Sequence, residues 1–322
     1  MNVKEIVAAI HEKHPDIYSV FFVGCGASES DLYPAKYFLD KNASRIRASL
    51  HTAHEFFYST PKAVGPEAIV VTCSLSGGTP ETVKASRKAM ELGAAVISVT
   101  MKPESELAKA SDYQIIHGFF ESYGAKIEKM GNVLGLACEI LNTWEGYEHY
   151  EEIQDGLEKI YDLINKSVSQ LKPRASEFGI NYKDMDNIYV MSSGASAMVA
   201  YSFSMFLMME MQQIPSPSFN DGNFFHGPFE LVDKDVPYLL LMNDGPTRPM
   251  DSRAMEFIQR FDGKLTVVDA KDFGLGNFVD SSVIEYFNPL LLSGVLRLYA
   301  EELAEQRSHP LTLRKYMWKI DY

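Results

Sequence analysis

The sequence predicts an α/β fold of two tandem domains, each a parallel sheet flanked by helices. Apolar, β-branched runs alternate with helical patterns through the first half, and the alternation returns in the second. Strands apolar at consecutive positions are buried on both faces, which marks a parallel sheet. A weak internal repeat supports two domains. Phe22-Val23-Gly24-Cys25-Gly26-Ala27-Ser28 parallels Val190-Met191-Ser192-Ser193-Gly194-Ala195-Ser196, each a strand, a Gly-Ala-Ser turn and a helix start. A spacing of about 170 residues implies two similar units with a pseudo-twofold relation.

The elements follow in order. Residues 18–23 form the first strand and 34–40 a helix. Residues 45–51, 69–73, 95–100 and 113–116 are further strands, and 82–92 has helical spacing between the third and fourth. Residues 130–169 read as almost wholly helical, with the acidic part, 145–158, expected as a solvated face. The second half has strands at 187–191, 237–242 and 265–269, with a long helix after Ser196. The domains are expected at 1–150 and at 181–322, the latter with a C-terminal tail, joined by a helical linker at 151–180.

There are 43 acidic against 30 basic residues, a formal net charge of −13. That balance argues against nucleic acid or an anionic membrane as partner. An anionic substrate must then be held by local dipoles and hydroxyls. Cys25, Cys73 and Cys138 lie far apart, with no zinc spacing, so three reduced thiols in a cytoplasmic protein are expected. No signal peptide is read at the start, and the apolar runs are too short to span a bilayer. The Gly24-x-Gly26 turn lacks the third glycine of a dinucleotide fingerprint, because position 29 is Glu. The second strand ends at Leu50-His51, with no acidic residue to hold a ribose.

The stretch most suggestive of chemistry is Cys73-Ser74-Leu75-Ser76-Gly77-Gly78-Thr79-Pro80. It lies where a buried strand turns into a helix. Such a turn aims hydroxyls and backbone N–H groups at one spot beside the positive end of the helix, which suits a phosphate monoester. It has no Lys and lacks the Gly-Lys-Ser/Thr ending of a nucleotide loop, so a phosphosugar is expected rather than ATP. A Ser/Gly-rich turn that binds nothing is the plainer alternative.

The second half carries Gly222-Asn223-Phe224-Phe225-His226-Gly227-Pro228-Phe229-Glu230. A His before Gly-Pro sits at a tight turn or helix start with its ring free to project. Either capping or catalysis would suit it. Glu210 lies sixteen positions earlier in the Met-rich helical run 203–213. It is either on an exposed stripe, the favoured reading from pattern alone, or buried in a cleft as a proton-abstracting base.

Together the double Gly-Ala-Ser pattern, Ser-x-Ser-Gly-x-Thr and His-Gly-Pro resemble the sugar isomerase (SIS) family. The match is to its two-domain members, typified by the isomerase half of glucosamine-6-phosphate synthase. The resemblance implies two flavodoxin-like three-layer sandwiches. It implies Ser74, Ser76 and Thr79 as phosphate ligands with backbone help from Leu75 and Gly77, and Gly26 and Ser28 beside the sugar. It further implies His226 in ring opening, Glu210 as the group that moves a proton between C1 and C2, and Lys319 of the basic, aromatic tail approaching the sugar. Tyr33-Pro34-Ala35-Lys36, Glu55-Phe56, Phe224 to Glu230 and His309 to Lys319 look most like fructoselysine-6-phosphate deglycases, which lack a glutaminase domain. Glu55 and Asn223 fall on the amine side. Relatives often have Gly-Glu where this chain has Gly222-Asn223.

The expected activity is therefore cleavage of a fructosamine 6-phosphate to glucose 6-phosphate and a free amine. No metal or organic cofactor is required, and the partners are a small sugar phosphate and further copies of the chain, as a homodimer or larger. Two rivals stand beside it: an aldose–ketose or amino-sugar phosphate isomerase, and a non-catalytic phosphosugar sensor. Only about 17 residues precede the first strand, too few for a helix-turn-helix reader.

Overall fold

The computed structural model describes residues 1–321. Tyr322, the end of the expected tail, lies outside the described residues. The chain divides into two compact units, Met1–Tyr161 and Asp162–Tyr322.

The first unit runs α1 (Val3–Lys13), β1 (Ser19–Gly24), α2 (Ala27–Ser30), α3 (Tyr33–Asn42), β2 (Arg47–Thr52), α4 (Ala53–Tyr58), β3 (Ala68–Cys73), α5 (Pro80–Glu91), β4 (Ala95–Thr100), α6 (Glu106–Lys109), β5 (Tyr113–Ile116) and α7 (Glu128–Trp144). Its sheet has the order β2-β1-β3-β4-β5, with every neighbouring pair parallel. β3 and β4 are buried at every position, as strands covered on both faces must be. Side chains alternate between faces. Phe21, Val23, Val70 and Val96 pack with Ala53, Phe56, Ala85 and Ala89 of α4 and α5. α1 begins with a capping box, Asn2 and Glu5 each satisfying the other's backbone N–H.

α8 (Tyr150–Tyr182) starts in the first unit and ends in the second, so the boundary falls within a helix. The acidic stretch 145–158 differs from expectation at one residue. Glu145 accepts from Ser44 N and Oγ, Arg45 N and Ile46 N at 2.6–3.0 Å. Partial burial pushes its carboxyl up, but these donors outweigh that and hold it below the usual range. Glu145 therefore caps the loop into β2 instead of facing water alone.

The second unit contains β6 (Tyr189–Ser192), α9 (Ala197–Ser202), a π-helix (Phe203–Gln212), β7 (Ser218–Asn220), α10 (Asp221–Phe224), β8 (Pro237–Met242), α11 (Arg248–Arg260), β9 (Lys264–Asp269) and α12 (Asn288–Gln306). Its sheet is parallel with order β7-β6-β8-β9. The expected long helix after Ser196 is thus α9 running directly into a π-helix. No helix among the described residues is long and apolar enough to cross a membrane.

Candidate functional site

In the first sheet the chain leaves β1 toward β2 on one side and leaves β3 toward β4 on the other. The carboxyl ends of β1 and β3, where Gly24 pairs with Cys73, therefore flank a topological switch point, the place where open α/β sheets take ligands. The turn after β1 places Gly26 at φ 61° before α2. The turn after β3 carries Ser74 to Thr79.

Within that second turn Ser74 is buried, and its Oγ lies 2.9 Å from Thr79 Oγ1. Ser76 is exposed, and its Oγ accepts from Gly78 N at 3.3 Å. The carbonyls of Leu75 and Gly77 are anchored by Met101 N and Leu107 N at 3.0 and 2.9 Å. Among the described residues, the N–H groups of Leu75, Ser76 and Thr79 donate to nothing. Gly77 differs: its N–H already donates to Ser74 O at 3.1 Å. Its contribution is shape, because φ is +66° and a Cβ would stand 2.1 Å from Ser105 Oγ. Thr79 is the N-cap of α5, with Pro80 next, and its side chain makes no cap bond. Three hydroxyls, free amides and a helix N-terminus thus meet on one turn.

Ser28 sits beside a pair that the sequence did not suggest. Lys129 of α7 is buried, lies 2.7 Å from Asp31 and reaches Ser28 Oγ at 3.5 Å. Burial pulls its ammonium down, but Asp31 more than compensates and holds it above its ordinary value. Lys129 has no motif around it, and its partners lie about 100 residues away, beyond any pattern rule. Glu55 is exposed in the first turn of α4, its N–H bonded to Thr52 Oγ1 at 3.3 Å. Burial, and then the charge of Glu55, raise the carboxyl of Glu29.

In the second unit, Glu210 lies in the π-helix. Its side chain is 24% exposed, and its Oε1 is 2.8 Å from Arg314 Nη2. It is neither on an open stripe nor sealed in apolar surroundings. Arg314 is the second residue here that no sequence motif singles out, since it is one basic residue among several in the tail. The Lys319 ammonium donates to the Arg314 carbonyl.

His226 is exposed and projects from a turn with a firm base. Its N–H donates to Asn223 O at 2.9 Å, and Gly227, at φ 149°, starts a short helical turn with Pro228 first. Phe224 is fully buried against Phe219 and Phe257, while Arg253 lies 3.9 Å over the Phe225 ring. The His226 ring meets no hydrogen-bond or ionic partner among the described residues. Asn223 is exposed and serves the turn through its carbonyl.

The second unit's counterpart of the turn after β3 is filled from within. Asp251 of α11 accepts from Ser193 Oγ, from Asn243 N at 2.8 Å and from Asn243 Nδ2 at 3.1 Å. Thr247 packs on Gly194, where an added Cβ would stand 2.7 Å from Thr247 Oγ1. Asp221, 2% exposed, meets no donor. Burial, and then the facing Asp251 carboxylate, push its carboxyl up to about 10. A proton on Asp221 lets it donate to Asp251, which accounts for the pair.

Comparison with known proteins agrees with this architecture. The SIS domain model matches residues 16–117. The chain is 39% identical to the fructosamine deglycase FrlB of Bacillus subtilis (strain 168), across 99% of this chain and 97% of that protein. It is 22% identical to the fructoselysine 6-phosphate deglycase of Escherichia coli (strain K12), across 81% of this chain and 76% of that one. A crystal structure from Salmonella typhimurium LT2, of a protein named as a candidate phosphosugar isomerase, superposes with a TM-score of 0.96 at 40% identity, covering 100% of this chain and 96% of that one. With a parallel α/β sheet in each half and full-length identity at this level, the chain belongs to the SIS family.

Proposed function

We propose that this protein is a cofactor-independent fructosamine-6-phosphate deglycase, converting an Amadori compound such as fructoselysine 6-phosphate and water to glucose 6-phosphate and the free amine. The observation that carries this reading is the 39% identity to a fructosamine deglycase along 99% of the chain. The turn of hydroxyls and free amides after β3 supports a phosphate-bearing substrate.

In this proposal Ser74, Ser76 and Thr79 hold the phosphate with the Leu75 amide, Gly77 sets the shape of the turn, and Gly26 and Ser28 serve the sugar side. His226 assists ring opening by handling the proton of the ring oxygen. Glu210 takes a proton from C1, the C2 carbonyl oxygen takes the electron pair and a proton from water, and an enaminol results. The nitrogen lone pair then drives return of the proton to C2, leaving a C1 imine that water hydrolyses. Glu55 and Asn223 belong to the amine side. Lys319 serves the sugar side, its ammonium resting on the Arg314 carbonyl. The working protein is a cytoplasmic homodimer or larger assembly, with His226 serving its own or a neighbouring subunit.

The test is a coupled assay. The protein is incubated with fructoselysine 6-phosphate, and glucose 6-phosphate is followed through its dehydrogenase and NADP. Stoichiometric glucose 6-phosphate and lysine are expected. Glu210→Gln should lose about 10²–10⁴-fold in kcat while still binding inorganic phosphate, the contribution typical of one acid–base group. A wild-type rate in that variant would remove Glu210 from the mechanism. A second reading, an aldose–ketose phosphate isomerase, is favoured by the name of the Salmonella relative. Sugar interconversion without amine release would select it.

A further inference from the structure

We propose that Arg314 is a positioning residue for Glu210: it fixes one carboxylate oxygen and leaves the other to carry the proton, so that docking of the C-terminal tail completes the proton-transfer apparatus. The inference rests on the deglycase reading above.

Arg314 lies about a hundred residues beyond Glu210, yet its side chain is 7% exposed and its Nη2 meets Glu210 Oε1 at 2.8 Å. The guanidinium is held on its other side. Nη1 donates to the carbonyls of Leu311 and Leu313 at 2.7 and 2.9 Å, and the Trp318 ring lies 5.4 Å from the guanidinium carbon. Two further ties join the tail to the same π-helix. Gln212 Nε2 donates to His309 O at 2.8 Å, and Arg307 Nη2 donates to Gln212 O at 3.4 Å. The end of the helix carrying Glu210 is therefore fastened at Gln212, two residues beyond Glu210, to the chain just before the tail residue that makes the ion pair.

Exposed ion pairs fix little, because both side chains stay mobile in water. This pair has a buried guanidinium whose fork is already set by two carbonyls, so Arg314 can dictate where the carboxylate sits. Glu210 Oε2 has no partner among the described residues and is the oxygen left to accept the C1 proton. During transfer Arg314 keeps its own protons. Glu210 alone gains one from C1 and gives it back at C2. A π-helix at this position suits the arrangement, since such turns occur frequently at functional sites.

The experiment is a double-mutant cycle on the full chain, with fructoselysine 6-phosphate as substrate and near-UV circular dichroism to check folding. Arg314→Met should lose about 10²-fold in kcat, the scale of a misplaced catalytic group, with KM little changed. Arg314→Lys should recover part of that loss. In the Glu210→Gln background, Arg314→Met should cost nothing further, because its effect passes through Glu210. An unchanged kcat in Arg314→Met, or the same loss repeated on top of Glu210→Gln, would overturn the proposal. Should Arg314→Met fail to fold, the cycle run with Arg314→Lys decides by the same criterion. A Glu210→Gln enzyme at wild-type rate would overturn the base assignment itself, so the two failures are distinguishable.

Discussion

Ser74 Oγ and Thr79 Oγ1 stand 2.9 Å apart across the turn after β3, each satisfying the other. A phosphate oxygen entering between them replaces one neutral hydrogen bond with two to a charged acceptor, each worth about 1.5–3 kcal/mol. Ser74→Ala and Thr79→Val should each weaken inorganic phosphate binding by about 10- to 100-fold on that basis. The KM for a sugar phosphate should rise with kcat nearly unchanged. Isothermal titration with phosphate checks this, and an unaltered Kd in both variants would show that phosphate sits elsewhere.

Gly77 carries two constraints at once, a φ of +66° and contact with Ser105. Gly77→Ala should cost about 1–3 kcal/mol through the left-handed backbone alone, and more through the clash. The variant should melt several degrees lower and lose phosphate affinity. Combining it with Ser105→Gly should restore only the Ser105 share of the clash, because Thr100 Oγ1 would still stand 2.9 Å from the new Cβ. A Gly77→Ala protein with wild-type Tm and phosphate affinity would contradict the geometry.

For His226 the prediction separates chemistry from folding. The ring is exposed and has no partner among the described residues, so His226→Gln should leave stability within about 0.5 kcal/mol of wild type, as surface changes do. If it opens the sugar ring, kcat should fall by about 10²–10⁴-fold. Steady-state kinetics on the natural ring form, compared with a substrate fixed open, locates the defect. Equal losses on both would assign His226 to another step.

Asp221 makes stability depend on pH. Its folded pKa, raised to about 10, lies far above the unfolded value near 3.9. Between those limits the folded protein holds a proton that the unfolded chain has released. Stability from this group therefore falls as pH rises through that window. Asp221→Asn should flatten the slope and make the protein more stable than wild type at pH 8–9, where the penalty has grown. Denaturant melts at pH 6 and pH 9 measure this; identical slopes for the two proteins would place no proton on Asp221.

How much of this could be read from the sequence depended on whether the cause was local. The strands at 95–100, 113–116 and 237–242 have the bounds that apolar runs give, because burial on both faces leaves a continuous signal. β7 was missed: it has three residues, all half-buried, just after Pro215-Ser216-Pro217. The π-helix was read as ordinary helix because a Met-rich run has no clear apolar face to betray a wider turn. The glycine turns were found, since glycine at a strand end is a local necessity. Lys129 with Asp31 and Arg314 with Glu210 were not, because each pairing joins segments about 100 residues apart and neither residue alone breaks a pattern.

Gly26 and Gly194 share a left-handed backbone, φ 61° and 54°, at equivalent turns of the two sheets. What surrounds them has diverged. In the first turn region the helix N-terminus is left open, with hydroxyls facing it. In the second, Asp251 supplies the negative charge from inside the chain. A carboxylate that is part of the protein cannot dissociate, so the second half's turn is permanently filled. Under the proposed function, only the first half's turn would answer to metabolite concentration, while the second half's turn keeps its one internal occupant throughout.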